Sequence, residues 1–236
     1  MEWTGEGLLI GVRRHGETSL IAEAMVAGRG RWLGLVRGGR APKTAAIFQP
    51  GNTVQLVWRA RLEDQLGVFS VELLKARAAD LIAERTRLYA SQVICELLHL
   101  LPERDPHDRL LGTALNLLDS NPDGAAIARF ELAILEERGF GLDLTACAAT
   151  GVTTDLTHVS PKSGRAVSRA AAQPYLDRLL LLAACLTNCG NASPDDIANA
   201  FKLTGHFLDM HVWGPRDIAA PSVRDALIAS LTKHED

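Results

Sequence analysis

Residues 53–62 read Thr53-Val54-Gln55-Leu56-Val57-Trp58-Arg59-Ala60-Arg61-Leu62, and their period of two decides the fold of the first third of the chain. Val54, Leu56, Trp58, Ala60 and Leu62 fall on one face of an extended segment, while Thr53, Gln55, Val57, Arg59 and Arg61 fall on the other. Pro50-Gly51-Asn52 ahead of them is a turn signal. Working outward, Gly67–Lys75 predicts a partner strand with Phe69, Val71 and Leu73 alternating. Gly7–Arg14, Ser19–Val26 and Arg31–Arg37 predict three more, separated by His15-Gly16-Glu17 and Gly28-Arg29-Gly30. Five short strands within residues 1–79 suit a small closed barrel, and the OB-fold is the five-stranded one. Closure removes the edges that such strands would otherwise present.

The charge is divided along the same line. The 236 residues carry 25 Lys+Arg and 28 Asp+Glu, a net −3. Residues 1–79 hold 11 basic and 7 acidic residues (+4), and residues 80–236 hold 14 and 21 (−7). From Arg13 to Arg61 nine basic residues (Arg13, Arg14, Arg29, Arg31, Arg37, Arg40, Lys43, Arg59 and Arg61) meet only Glu17 and Glu23. That is an electrostatic footprint for a polyanion, and arginine suits phosphate forks and base stacking. A merely solvated basic face is the plain alternative.

The run Gly28-Arg29-Gly30-Arg31-Trp32-Leu33-Gly34 is not a dinucleotide fingerprint, because Leu33 stands at the sixth position and no helix follows. Lys43-Thr44 is preceded by Pro42, so it is not a phosphate loop either. The run reads instead as a hairpin bearing Arg29 and Arg31, followed by a mobile loop Gly38-Gly39-Arg40-Ala41-Pro42-Lys43. Arginine beside an aromatic ring suits sequence-tolerant single-strand binding. The expected contacts are Arg13, Arg14, Arg29, Arg31, Trp32, Arg37, Arg40 and Lys43. Trp58 reads as core, and Trp32 as either core or stacking face.

From Asp80 onward the period becomes 3.6. Helices are predicted over Leu81–Leu101, Leu110–Leu118, Gly124–Arg138 (Gly139 capping it), Leu176–Asn188, Ser193 to about Val212, and from Ser222. Ile127, Phe130, Ile134 and Leu135 face inward on the third. Residues 145–171 lack periodicity, and a loop of that length points to a functional segment, disorder or a small insert.

Composition excludes disorder and collagen, at 47% hydrophobic residues with 20 Gly and 10 Pro. No apolar run approaches a membrane span, the N-terminus lacks a signal pattern, and Cys95, Cys147, Cys185 and Cys189 do not make a secreted disulfide framework. A cytoplasmic chain is expected. The absence of G-x-S-x-G, H-E-x-x-H and an intact phosphate loop argues against an enzyme; Cys147 and His158 are a weak nucleophile–base candidate.

Several of these segments resemble a known family. Glu6-Gly7-Leu8-Leu9-Ile10, Arg14-His15-Gly16-Glu17-Thr18-Ser19 and Phe48-Gln49-Pro50-Gly51 look like the first domain of the bacterial RecO family of recombination mediators. Phe130-Glu131-Leu132-Ala133-Ile134-Leu135, Gly139-Phe140-Gly141-Leu142-Asp143-Leu144 and Cys147 are similar to its phenylalanine–glutamate–leucine helix, its glycine–aromatic turn and the first cysteine of its zinc-finger insert. The resemblance spans nearly the whole chain. It implies an α+β protein: an OB-fold DNA-binding domain over 1–79, an α-helical domain over 80–236, and a degenerate zinc-finger-like insert at 145–171. It further implies binding of single- and double-stranded DNA, annealing of complementary strands, and loading of RecA with RecR onto DNA coated by single-strand-binding protein (SSB), in the cytoplasm at the nucleoid.

Zinc-bearing members use two C-x-x-C pairs, but here Thr150 stands three residues after Cys147 and residues 161–172 contain no cysteine. One thiolate cannot complete a tetrahedral site. Cys185 and Cys189 are expected to be buried on a helix, and His206 and His211 are poorly spaced for one helical face. No metal or cofactor is therefore expected. Lys162, Arg165 and Arg169 make the insert a further DNA-contact candidate. Arg129 with Phe130 reads as a cationic clamp beside an apolar groove, suited to the SSB C-terminal tail, or as an exposed surface arginine. The competing function is a protein-binding adaptor for that tail with incidental DNA affinity.

Overall fold

In the computed structural model the alternation of Thr53–Arg59 is realised as a strand whose Val54, Leu56 and Trp58 are 0%, 0% and 1% exposed. The structure describes residues 1–187 and 192–232. The barrel strands are β1 (Glu2–His15), β2 (Ser19–Val26), β3 (Gly30–Val36), β4 (Thr53–Arg59) and β5 (Val68–Lys75). They close in the order β1-β2-β3-β5-β4, with β4 returning to β1. All neighbours are antiparallel except β3 and β5, which meet in parallel at Leu35 and Val68. The expected five-stranded barrel is therefore present. Strand β4 ends at Arg59, so Leu62, expected inward, lies in the following turn and is exposed.

Inside the barrel Trp3, Trp32, Trp58 and Phe69 pack against one another with centroids 5.0–6.0 Å apart, surrounded by Leu9, Ala22, Ala24, Val26, Val54 and Leu56. Such offset and edge-on pairs add about 0.5–1.5 kcal/mol each beyond their buried area. Trp58 Nε1 donates to Leu66 O (3.0 Å) and Trp32 Nε1 to Arg29 O (2.8 Å), so both burials are hydrogen-bonded.

After the barrel come α1 (Ala78–Ala83), α2 (Arg85–His99) and α3 (Asp108–Asp119). The single helix expected over 81–101 is broken at Glu84, which is extended (φ −126°, ψ 118°). The barrel and α1–α3 form one compact unit ending at Asn121, and the change of periodicity at 79/80, where the sequence places the domain division, falls within it. Arg77 shows why these helices pack with the strands. Its guanidinium, nearly buried, grips both oxygens of Asp119 on α3 (2.5 and 3.2 Å) and Thr53 Oγ1 on β4 (2.5 Å). Hydrogen bonding to Arg77 holds the Asp119 carboxyl down at about 2.

The second unit starts at Pro122. It holds α4 (Gly124–Glu137), β6 (Leu156–Val159), β7 (Ala166–Ser168), α5 (Arg169–Ala172), β8 (Leu180–Leu181), α6 (Ala184–Thr187), α7 (Pro194–Leu208) and α8 (Ser222–Leu231). Local caps set two starts: Asp123 accepts from Ala126 N (2.7 Å), and Ser193 from Asp196 N (3.1 Å). Gly139 after α4 adopts φ +84°, the left-handed geometry of a C-terminal cap. Ser222 is the first residue of α8 rather than its cap, since Pro221 precedes it there and no side-chain cap bond forms.

Residues 176–187 depart from the helix expected over Leu176–Asn188, and Asn188 lies outside the described residues. Gln173–Arg178 is a 3-10 segment, Leu180–Leu181 is an edge strand paired with β6, and Ala184–Thr187 is the one α-helical stretch of this span among the described residues. A short leucine run has no period that separates strand from helix, and the β6 edge supplies the pairing. Cys185 is buried; Cys189 lies outside the described residues. The 145–171 insert is ordered around β6 and β7, with order β7-β6-β8 and a small core of Cys147, Val167 and Ala172.

Candidate nucleic-acid interface

Topology sorts seven of the nine basic residues between Arg13 and Arg61 into two groups, while Arg59 pairs with Glu2 (2.8 Å) and Arg61 follows the end of β4, exposed. Arg14 pairs with Leu20, and Leu20 with Val36, so the ends of β1 and β3 and the start of β2 lie side by side. Arg13 and Arg14 on β1 and Arg37 after β3 therefore share one end of the barrel, all exposed. The 37–43 loop joins them. Arg40 N donates to Thr18 O (3.1 Å), and Arg40 Nη1 donates to Gly16 O (2.9 Å) and Glu17 O (2.5 Å). Lys43 sits in a 3-10 turn, Pro42–Thr44, steadied by Thr44 Oγ1 on Gly39 O (3.2 Å). The loop read as mobile is thus hydrogen-bonded onto the β1–β2 turn. Arg13, Arg14, Arg37, Arg40 and Lys43 have no carboxylate partner among the described residues, and Glu17 is the acid in their midst. Five solvated cations around one barrel mouth form a surface on which phosphates release counterions.

The β2–β3 turn, at the opposite ends of those strands, is committed elsewhere. Arg31 is pinned: it pairs with Glu23, its Nε donates to Leu101 O (2.9 Å), and its Nη2 lies 3.6 Å from Glu103. Gly28 N donates to Asp108 (2.7 Å), and Gly30 has φ +74° with Asp105 O only 1.8 Å from where a Cβ would stand. The segment carrying Glu103, Asp105 and Asp108 thus covers this turn, removing Arg31 from the expected contacts. Trp32 is removed too: it is 5% exposed, edge-on to Trp3 and Trp58, and covered by the Arg104 guanidinium at 4.6 Å. Arg29 remains exposed, 4.8 Å over the Trp3 ring. Arg104 was missed by the sequence reading, since no local pattern places a residue of 104 on a ring of 32.

In the second unit Arg165 and Arg169 are drawn to carboxylates, Asp143 at 3.4 Å and Asp155 at 3.1 Å, leaving Lys162 without one among the described residues. Cys147 Sγ accepts Ser168 N–H (3.3 Å). Hydrogen bonds from Ser168 and Thr150 pull its thiol down to about 6. Hydroxyl groups stand around it in place of further thiolates, and no three metal-ligating side chains converge among the described residues. That donor set does not suit a tetrahedral zinc site. His158 Nδ1 lies 3.0 Å from Thr157 Oγ1, and burial pushes its pKa down; the sulfur's partner is Ser168 N–H rather than this ring.

Arg129 lines a groove of about 520 Å³ with Leu132, Ala133, Leu142, Leu144 and Leu186, and Glu136 and Asp143 at its rim. Its Nη1 donates to Cys185 O (2.6 Å), which fixes the guanidinium on the wall. Phe130 is 1% exposed and belongs to the core, so it cannot touch a partner; the neighbouring Glu131 is wholly buried and salt-bridged to Arg224 at 2.7 Å. No helix among the described residues is long and apolar enough to cross a membrane.

Comparison with known proteins bears on both units. The model of the recombination protein O N-terminal domain matches residues 1–77, and that of its C-terminal domain matches residues 83–217. The DNA repair protein RecO of Rhizobium etli is 51% identical over 239 residues, covering 99% of this chain and 93% of the relative. The proteins of the same name from Methylobacterium nodulans and Methylocella silvestris are each 49% identical, covering 97% and 100% of this chain and 97% and 98% of theirs.

Proposed function

The chain belongs to the RecO family of DNA repair proteins, and from that premise we propose how it acts as a recombination mediator. Its barrel mouth binds single- and double-stranded DNA through backbone phosphates, and holding two strands there lowers their mutual repulsion so that complementary sequences anneal. The carrying observation is the five cations Arg13, Arg14, Arg37, Arg40 and Lys43, gathered at one barrel end without carboxylate partners among the described residues. Annealing of this kind asks for screening and alignment rather than bond chemistry, so the protein works without a catalytic residue, and the insert holds its shape without a metal. In the cytoplasm, at the nucleoid, the protein joins RecR in loading RecA onto SSB-coated DNA.

The Arg129 groove supports a second contact, with the acidic, aromatic tail of SSB. It also supports the competing reading of a tail-binding adaptor whose DNA affinity is incidental. One experiment separates them: fluorescence polarisation of labelled single-stranded DNA across a salt series, with a tail peptide in parallel. Five phosphate contacts give a log–log slope of about −3.5, at roughly −0.7 each. Neutralising Arg13, Arg37 and Lys43 together should flatten it by about 2. Saturable tail binding without DNA binding would instead establish the adaptor.

A further inference from the structure

Three rings stack in a row on the second unit. Phe207, 2% exposed, lies 6.2 Å from His211 at 11°, and His211 lies 4.5 Å from Phe140 at 6°. The row climbs from core to surface, because Phe140 is 37% exposed. It exists because the chain does not leave the helical path at the end of α7 but widens into a π turn, Asp209–Trp213, which carries His211 onto the turn after α4. Gly214 closes that turn, with Asp209 O 2.7 Å from where its Cβ would be. Such π turns concentrate at functional sites. With His211 covering one face of Phe140, the row ends in a π-face able to take one more planar ring.

Two arginines stand close to the row in sequence, Arg138 two residues before Phe140 and Arg216 five after His211. Arg138 ends α4, and Arg216 closes the 3-10 turn Gly214–Arg216. Arg138 Nε is buried without a hydrogen-bond partner. Burial and then the neighbouring Arg216 charge hold the Arg138 pKa below the usual guanidinium range. Asp209 and Asp217 are close in sequence, yet neither arginine has a carboxylate partner among the described residues. The two charges act on one another with no carboxylate partner among the described residues to offset them. A phosphate relieves that repulsion by accepting from the accessible N–H groups of the two guanidiniums.

We propose that Phe140, His211, Arg138 and Arg216 form a second single-strand contact, in which one base stacks on Phe140 and its phosphate takes the two guanidinium groups. The inference rests on the DNA-binding reading above but on a site of its own, outside the barrel. The test uses the full chain and a single-stranded oligonucleotide carrying 5-iododeoxyuridine, cross-linked by light and mapped by mass spectrometry. A cross-link at Phe140 or His211 is expected. Phe140→Leu, which keeps apolar cover over the turn, should abolish it and weaken binding about fivefold or more, while Phe140→Trp should retain both. Arg216→Gln should flatten the salt slope by about 0.7. Cross-links confined to the barrel, with Phe140→Leu binding like the parent, would overturn this site and leave the barrel reading standing. No saturable binding by the parent chain would overturn both.

Discussion

Arg224→Ala should destabilise the second unit more than any surface substitution can, and the size of the loss follows from geometry. Arg224 Nε and Nη2 donate to the two oxygens of Glu131 at 2.7 and 3.0 Å, and Nη2 also donates to Phe201 O at 2.7 Å. Thr204 Oγ1 completes the shell of the same carboxylate. Glu131 is 0% exposed, so truncating the arginine strands a buried charge. Removing one partner of such a pair costs about 3–5 kcal/mol, a large fraction of the roughly 5–15 kcal/mol that holds a domain folded. Arg224 also ties α8 to α4 and α7 and faces the Phe201 and Trp213 rings at 5.2 and 5.9 Å. Urea unfolding followed by hydrogen exchange of α4, α7 and α8 amides reads the effect. The double variant Glu131→Gln with Arg224→Met removes both charges and should recover most of the loss, because desolvation offsets the attraction in the native pair. A loss under about 1 kcal/mol for Arg224→Ala, or no recovery in the double variant, would refute the argument.

Two further outcomes are expected. Cys147 has its folded pKa pulled from an ordinary 9.0 to about 6; a depressed acid contributes stability that is fully present above the unfolded value and is lost as pH falls through the folded one. Thiolate absorbance should therefore titrate near pH 6, the stability gain of the parent over Cys147→Ser should shrink from about pH 9 down to 6, and a titration near 9 would show that the Ser168 and Thr150 bonds do not act on the sulfur. Gly30→Ala should cost more than Gly28→Ala, since both have positive φ (+74° and +68°), worth about 1–3 kcal/mol, but only Gly30 meets Asp105 O; equal denaturation midpoints would mean that the 103–108 segment does not clamp this turn.

The features legible in the sequence are local ones. The alternation over 53–59, the turn residues between strands, the caps at Asp123 and Ser193 and the left-handed Gly139 all act over a few residues, where backbone sterics and burial period decide the outcome. The basic excess of the barrel was legible for the same reason, being a matter of composition. The motif Phe130-Glu131-Leu132 was visible, but its role as a buried ion-paired core position was not, because its partner stands 93 residues later.

Residue sequence alone thus determined the five-strand barrel, the helical remainder and the sign of the barrel's charge, since each follows from periodicity and count. Tertiary structure decided which cations are free. Arg31 and Trp32 are neighbours in a hairpin that looks like a binding motif, yet Leu101, Glu103 and Arg104 arrive from some seventy residues away to occupy them. Leu180–Leu181 became a strand only because β6 offered an open edge. Pairing across such separations depends on which surfaces the closed barrel and the packed helices bring together, and no local pattern encodes it.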